Sequence, residues 1–229
     1  MRSRFASALA LVLSAGLVTG CARGPEKTPL EVEVIQAVGQ KIGALRAGRQ
    51  AKRPPPTRAQ LDTVKVPYVE VTLENRDLLA YLSQQSVRRD GDPGEIVVWR
   101  TEDNVTLALR GGVLIATRGL GDDLLSASAL VGESGSGPQS GGERRYQIRG
   151  LDNDKRSLSL ACAVQDLGPE QVEIVELSYA TRHLQERCEG GGGVVVNDYW
   201  VDSVSGRIWQ SRQWAGPTIG YLRLRQLTL

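Results

Sequence analysis

Apolar and polar residues alternate in short runs over most of the chain after residue 64. Val69, Val71 and Leu73 are separated by polar residues, which is the period-two pattern of a strand with one buried face. Clusters rich in Gly, Asp, Asn, Ser and Pro interrupt these runs, as expected of hairpin turns. The pattern predicts about ten to twelve short strands joined by tight turns.

The predicted strands, in chain order, comprise residues 64–73, 78–87, 96–99, 105–109, 113–117, 146–149, 157–164, 171–181, 194–201, 207–213 and 220–229. Residues 30–35 also alternate and predict an earlier strand. Gly168 and Pro169 predict a turn, and residues 133–143 predict a Gly/Ser loop. Three segments look helical instead: 36–45, 57–62 and 121–130.

This succession of hairpins predicts a mostly β fold, a single antiparallel β-barrel-like or sandwich domain with one or two short helices. A closed barrel is favoured because closure removes the exposed edges that an open sheet of so many strands would leave. The predicted organisation is a cleaved signal peptide at 1–20, a lipidated tether at 21–29 and the β domain at 30–229.

The first 20 residues have the three parts of a bacterial export signal. Arg2 and Arg4 supply positive charge, and residues 8–18 are mainly apolar but shorter than the roughly 20 residues of a membrane-spanning helix. Val18-Thr19-Gly20-Cys21 then matches a lipobox, in which cleavage precedes a cysteine that carries acyl chains such as palmitate. We therefore predict that acylated Cys21 anchors the protein, because several acyl chains hold a membrane stably whereas one is marginal.

Charge makes nucleic acid an unsuitable partner. The whole chain has 28 Lys and Arg against 26 Asp and Glu, and two of the basic residues lie in the predicted signal peptide. The mature domain is therefore nearly neutral and lacks the basic surface that binding to phosphate backbones requires.

Residues 46–58 contain five cations and three consecutive prolines. We interpret this segment as a solvated loop, with a patch for lipid phosphates or an acidic glycan as the alternative.

Cys162 and Cys188 remain once Cys21 is acylated, and an even pair in an oxidising compartment predicts a disulfide. Two buried free thiols are the alternative. The cysteine spacing and the single histidine, His183, do not match a metal site, so we predict no metal and no cofactor. No nucleophile elbow is present either. We predict no catalytic residues and place His183 on an exposed strand or loop.

Neighbouring acids occur at Asp122-Asp123 and at Asp152 and Asp154. We interpret them as turn formers, with Asp122 as the N-cap of the helix predicted at 121–130.

The aromatic residues leave two interpretations open. Three of the four tryptophans lie within 15 residues of one another: Trp200, Trp209 and Trp214. Packing in the core is favoured. The alternative is a platform that stacks on sugar rings, with polar groups supplied by Arg207, Arg212 and Gln213.

Two blocks of sequence resemble the YjbF/GfcB group of lipoproteins from exopolysaccharide and group 4 capsule operons. The first is GGVLIATRGLGDDL at residues 111–124, and the second is WVD at 200–202 followed by SGRIWQSRQWAGP at 205–217. The likeness covers most of the mature chain, although segments 46–58 and 133–143 are poorly matched. It implies an outer-membrane lipoprotein that faces the periplasm, with a barrel-like β domain and no catalytic residues to transfer. The position of Ala22 agrees, since a residue other than Asp after the acylated cysteine permits transfer to the outer membrane.

The resemblance also implies a role in polysaccharide production or export, beside a periplasmic accessory protein and an outer-membrane β-barrel exporter. We therefore predict a non-enzymatic accessory lipoprotein. Its predicted contacts with glycan or a partner lie in the turn that contains Thr117, Arg118 and Asp122 and in the tryptophan region at 200–221. Two alternatives remain: a carrier with an apolar cavity for an acyl chain, and a glycan-modifying enzyme with two facing carboxylates.

Overall fold

The computed structural model describes residues 55–129, 131–132, 135–149, 154–191 and 193–229. The chain divides into two units, Met1–Ala44 and Leu45–Leu229, and all described residues belong to the second. The predicted signal peptide, Cys21, the tether, the elements predicted at 30–45 and most of segment 46–58 lie outside the described residues. The helices in the described part are too short or too polar to span a bilayer.

Twelve strands form one antiparallel sheet in the described part of the chain. The strands are β1 (Tyr68–Leu73), β2 (Leu78–Arg88), β3 (Ile96–Arg100), β4 (Thr106–Arg110), β5 (Val113–Arg118), β6 (Leu124–Ala127), β7 (Gly141–Arg149), β8 (Lys155–Ile174), β9 (Leu177–Gly190), β10 (Gly193–Asp202), β11 (Ile208–Trp214) and β12 (Tyr221–Gln226). A four-residue helix, α1 (Arg58–Leu61), precedes them, and a 3-10 helix at Glu74–Arg76 links β1 to β2. The mostly β fold class is confirmed.

The strand order is β5-β4-β3-β2-β1-β12-β11-β10-β9-β8-β7-β6. Consecutive strands pair as hairpins, and the long-range pairing of β1 with β12 joins the first five strands to the remaining seven. The two end strands, β5 and β6, contact each other, so the sheet is barrel-shaped and nearly closed. Closure of this kind leaves few unpaired strand edges exposed.

The alternating pattern of β1 places its apolar residues in the interior, as predicted. Val69, Val71 and Leu73 are buried in the main core, where Leu222 and Leu224 of β12 join them. Complete burial of side chains of this size stabilises the fold by about 1.5–3 kcal/mol each. The barrel interior is therefore a packed core over much of its length.

β8 and β9 form an arm that extends beyond their neighbours. β7 pairs with β8 only as far as Ala163, and β10 pairs with β9 only from Thr181 onward. The hairpin turns at Val175 and Glu176, which both have positive φ angles. The arm packs back on the sheet, because Val172 and Ile174 share a buried cluster with Leu61, Trp209 and Leu227.

The turn predicted at Gly168 and Pro169 is wrong. Both residues lie inside β8, at a bulge between Asp166 and Gly168. A proline is tolerated there because it adjoins a bulge and because β7 pairs with β8 only as far as Ala163, so this part of β8 is an edge of the sheet. The predicted loop at 133–143 also ends early, since β7 begins at Gly141.

The helix predicted at 121–130 is wrong as well, whereas the one predicted at 57–62 is confirmed as α1. Residues 124–127 form β6, which pairs with β7. Asp122 therefore caps no helix. The backbone carbonyl of Asp123 accepts a hydrogen bond from Arg149 N at 3.0 Å, and this bond commits the segment to the sheet. Local propensity cannot reveal such a partner, because it lies on another strand.

Candidate functional site

The gap between β5 and β6 is closed by side chains from the first sequence block. Thr117 Oγ1 donates a hydrogen bond to Asp123 Oδ1 at 2.9 Å and accepts one from Leu124 N at 3.0 Å. The Asp123 carboxylate also accepts from Gly119 N at 3.0 Å and Leu120 N at 3.1 Å. Thr117 and Asp123 are buried, so these bonds satisfy polar groups that would otherwise be costly to bury.

Arg118 spans the same gap from the outside. Its guanidinium donates to the carbonyl of Leu124 at 3.0 Å and to the carbonyl of Leu125 at 3.0 Å. It therefore supplies to the edge of β6 the donors that a neighbouring strand would provide. Asp122 makes none of the described hydrogen bonds of this turn. Of the predicted residues here, Thr117 and Arg118 hold the barrel closed.

Gln213 connects the second sequence block to the first. Its side chain is buried, with Nε2 donating to the carbonyl of Gly112 at 2.9 Å and Oε1 accepting from Leu114 N at 2.7 Å. Gly112 lies so close to Ile208 that an added Cβ would be 2.4 Å from its Cδ1 atom. The two blocks that carry the family resemblance thus meet at one junction between β5 and β11.

A buried polar network that the sequence analysis missed crosses the barrel interior. Arg144 on β7 donates to Glu186 Oε2 on β9 at 2.6 Å, and Asn197 donates to the same oxygen at 2.8 Å. Burial opposes the charge on Arg144, but its interactions with Tyr146, Tyr199 and Glu186 outweigh this effect and raise the pKa of the guanidinium. The detectable signal is a charged residue at an inward position, since Glu186 shares its strand face with Cys188.

The predicted disulfide is confirmed. Cys162 on β8 and Cys188 on β9 are bonded and lie directly opposite each other in the antiparallel register. Cys188 is completely buried, and its partner is half-buried. The bond fixes the base of the arm where it leaves the barrel.

The three clustered tryptophans all contact other rings. Trp209 is 7% exposed and stacks on Tyr179 with ring centroids 3.6 Å apart. Trp214 meets Tyr146 edge to face at 5.2 Å, and Trp200 packs partly buried against the cluster that contains Trp209. These contacts favour the core interpretation over a sugar platform made of all three rings.

His183 is on a strand, as predicted, but the expectation that it is exposed is wrong. Its side chain is only 17% exposed and stacks on Trp200 at 4.5 Å. One ring nitrogen lies 2.9 Å from Asp198 and the other 3.1 Å from Glu170. The physical reason is tertiary: β10 brings Trp200 and Asp198 to one side, and the arm brings Glu170 to the other.

The turn between β10 and β11 is organised by Asp202. Its carboxylate accepts from Ser205 N at 2.7 Å, Val204 N at 3.0 Å and Trp209 Nε1 at 2.9 Å. The Ser205 amide, together with the Trp209 indole, holds the pKa of this carboxyl well below its usual range. The turn therefore presents Arg207, which is exposed, with its guanidinium carbon 5.6 Å from the Trp209 ring. Arg212, in contrast, is engaged by Glu74 at 2.9 Å and by the ring of Tyr221.

A cleft of about 620 Å³ opens at the end of the barrel where the β2–β3 and β10–β11 turns meet the C-terminus. Its floor consists of buried apolar residues: Val69, Trp99, Leu109 and Leu224. Among the predicted site residues, Arg207 and Trp209 line this cleft. Thr117, Arg118 and Gln213 belong to the junction described above.

One glutamine amide in the cleft lining is free. The Gln84 side chain lies on the same face of β2 as the buried Leu82, is half-buried and has no hydrogen-bond partner among the described residues. Gln210 lies opposite Arg225 and Trp200 and so points to the outer face of the wall. The Gln84 amide offers two donors and two acceptor lone pairs. A ligand rich in hydroxyl groups matches this capacity better than a hydrocarbon chain does.

Two of the three acids that line the cleft are held in close ion pairs. Asp90 accepts two hydrogen bonds from Arg110, at 2.7 and 2.6 Å, which lower the pKa of its carboxyl. Glu95 pairs with Arg89, and Asp92 lies 4.0 Å from Arg110. The acyl-carrier alternative expected an apolar cavity, whereas this cleft has a charged and polar rim. The enzyme alternative expected two facing carboxylates, whereas Asp90 and Glu95 are each bound to an arginine.

Comparison with known proteins supports the resemblance read from the two blocks. A family model described as group 4 capsule polysaccharide lipoprotein gfcB, YjbF, matches residues 35–227. A solved structure, the hypothetical lipoprotein YmcC from Escherichia coli K12, is similar with a TM-score of 0.63 and 20% sequence identity. The match covers 81% of this chain and 94% of that one, and at this identity it shows the fold alone. No curated protein matches the chain.

Proposed function

This chain belongs to the YjbF family of group 4 capsule polysaccharide lipoproteins, and we propose that it assists the production or export of an extracellular polysaccharide without chemically changing it. The observation that carries the proposal is the family match, which spans residues 35–227 and so includes nearly all of the described barrel. Both sequence blocks that resemble the family contact each other at the junction between β5 and β11. The resemblance therefore involves residues that are joined in the fold and not an isolated motif.

The proposed location is the outer membrane, with the barrel facing the periplasm and acylated Cys21 as the anchor. Two features support this location. The lipobox at residues 18–21 ends the predicted export signal, and several acyl chains give stable membrane attachment. The disulfide between Cys162 and Cys188 agrees with an oxidising compartment such as the periplasm.

The cleft at the end of the barrel is the proposed contact site for the sugar chain. Its apolar floor suits the C–H faces of sugar rings, and the free amide of Gln84 suits a hydroxyl group. A packed interior supports binding at this cleft over storage of an acyl chain inside the barrel. A non-enzymatic role is proposed because Asp90 and Glu95 are each engaged by an arginine. An outer-membrane β-barrel exporter and a periplasmic accessory protein are the proposed partners.

The first test is genetic. Deletion of the gene is expected to reduce surface polysaccharide, and the wild-type gene should restore it. A Cys21→Ala gene should restore less, because the domain then lacks its acyl anchor. Surface and released polysaccharide are measured separately. If the deletion strain keeps its full amount of surface polysaccharide, the proposed function is wrong.

The second test concerns the cleft. A Gln84→Ala protein should keep its melting temperature and bind the polysaccharide purified from the producing cells more weakly, because the partner of a sugar hydroxyl group is removed. Gln147→Ala is the matched control, since Gln147 is exposed on β7 and does not line the cleft. Equal binding by all three proteins would place the contact elsewhere.

A further inference from the structure

Exposed apolar side chains are concentrated at one end of the barrel. The cleft opens at this end, which carries the β2–β3 and β10–β11 turns, the C-terminus and the arm formed by β8 and β9. Seven of the eight large apolar residues exposed in the described part of the chain lie there: Val64, Val66, Val87, Leu167, Leu177, Val204 and Leu229. The eighth, Val194, lies near the start of β10 at the opposite end. Single exposed apolar residues are common, but so uneven a distribution is typical of an interaction surface.

Several of these residues surround the mouth of the cleft. Val87 lies opposite Val97, which lines the cleft, and Leu229 lines it directly. Val204 is 97% exposed in the β10–β11 turn, beside Ser205 of the cleft lining. They therefore form an apolar rim at the end of the barrel.

This end has no excess of positive charge that would attract an anionic surface. Four of its arginines have close acidic partners, in the pairs Arg58–Asp62, Arg89–Glu95, Arg110–Asp90 and Arg182–Asp166. At least as many acids, among them Asp92, Glu173 and Glu176, offset the further cations Lys65, Arg88 and Arg207. The feature that distinguishes this end from the rest of the surface is therefore apolar area.

The path of the chain points to what covers the rim. Helix α1 lies at the same end, because Arg58 Nη1 donates a hydrogen bond to the carbonyl of Leu227 at 3.2 Å. The sequence before α1 leads back to Cys21, the predicted site of acylation. The segment that carries the predicted anchor is therefore joined to the barrel at the end that carries the apolar residues.

We infer that this end of the barrel rests on a lipid surface, with Val204 and its apolar neighbours inserted at the level of the headgroups. The inference rests on the proposed membrane location and adds which face of the protein meets the lipid. Insertion of apolar side chains beside an acyl anchor adds to membrane affinity in proportion to the buried apolar area, and it fixes the orientation of the domain. Because the cleft opens at the same end, a sugar chain bound there lies beside the membrane surface.

The test uses the full-length acylated protein in phosphatidylcholine vesicles whose acyl chains carry bromine, which quenches tryptophan fluorescence on contact. Val204→Trp adds a ring to the turn, and this ring should lose about half of its fluorescence, as expected for a side chain at the boundary of headgroups and acyl chains. Val194→Trp is the matched control, since it changes an exposed valine at the opposite end and should keep its fluorescence. Wild type, with four tryptophans, gives the background.

Two further variants separate the rim from the anchor. Val87→Asp/Leu229→Asp in the Val204→Trp protein should abolish the quenching, while the acyl chains still carry the protein with the vesicles in flotation. Leu177→Trp reports from the arm if Val204→Trp lowers the melting temperature. Addition of anionic lipid should not increase the quenching, because this end has no excess of cations.

Equal fluorescence losses at the two ends would overturn the inference and leave the rim to a protein partner, while flotation of the acylated protein keeps the proposed location. If mass spectrometry finds no acyl chain on Cys21 and the protein does not float, the proposed location fails as well.

Discussion

Single carboxylates hold the turns and the interior of this barrel in place. Asp123 satisfies two backbone amides at the β5–β6 gap, Asp202 organises the β10–β11 turn, and Glu186 balances the buried charge of Arg144. In each case a carboxylate accepts hydrogen bonds from groups that the sheet does not pair. The loss of any one should therefore affect stability more than its surface area alone suggests.

Asp202 makes a pH-dependent contribution to stability. Its pKa is lowered in the folded state, so the contribution is present above the ordinary carboxyl range and is lost as the pH falls below about 4. Asp202→Asn should therefore lower the free energy of unfolding at pH 7 and have a smaller effect at pH 3. Urea denaturation at both pH values measures the difference. Asp154→Asn, at an exposed position, is the control, and an equal effect of Asp202→Asn at both pH values would contradict the assignment.

The Arg144–Glu186 pair should behave as a coupled unit. Arg144→Met leaves the Glu186 carboxylate buried without its cation and should cost about 3–5 kcal/mol of unfolding free energy. The double variant Arg144→Met/Glu186→Met should cost much less than the sum of the two single variants, because neither charge is stranded. Equilibrium urea denaturation of the four proteins gives the coupling energy. Additive losses would show that the two charges act independently.

At the scale of elements, the barrel closes by two different means. Eleven strand pairs are joined by backbone ladders, whereas β5 and β6 are joined by the side chains of Thr117, Arg118 and Asp123 in the described part of the chain. Side-chain closure is local and partly exposed, so this seam should open more readily than the rest of the wall. The arm formed by β8 and β9 should open less readily than this seam, since the buried cluster with Trp209 holds the arm against the sheet.

Removal of the Arg118 side chain should loosen this seam selectively. Arg118→Ala should lower the free energy of unfolding by about 1–2 kcal/mol, since bonds from a charged donor to two carbonyls are lost from a partly exposed site. Hydrogen exchange of the β5 and β6 amides should accelerate, while that of β10–β12 stays unchanged. Arg156→Ala removes an exposed arginine from β8 and should leave exchange at the seam as in wild type. Uniform acceleration over all strands would argue against a local role.

At the scale of the whole molecule, the disulfide adds to the stability of a barrel that should fold without it. The bond between Cys162 and Cys188 spans 26 residues of chain and joins two strands already paired by a ladder. The double variant Cys162→Ala/Cys188→Ala should lose about 3 kcal/mol of unfolding free energy and keep the barrel fold. Circular dichroism and urea denaturation test both parts. A reduced wild-type sample should match the variant, and an unfolded variant would show that the barrel depends on the bond.

Much of the fold follows from local pattern. The alternation at Val69, Val71 and Leu73 places these residues in the core, and the glycines at 111 and 112 mark a hairpin that the structure contains. The disulfide between the two cysteines was predictable from their even number, and the fold class was predictable from the period-two pattern and the turn residues. The lipobox at 18–21 is of the same kind, and it remains a prediction that concerns residues outside those described.

Tertiary structure decided what local pattern leaves open. Segment 121–130 looks helical until Arg149 supplies the partner for Asp123, and Gly168-Pro169 looks like a turn until β9 pairs with both sides of the bulge. The Arg144–Glu186 pair and the cleft beside Arg207 each need strands or turns that are distant in sequence. The period-two pattern of a sequence determines which residues of each strand face the core. The order and register of the strands arise instead from packing between residues that are distant in sequence. The residues that share a site therefore become known only when the barrel has closed.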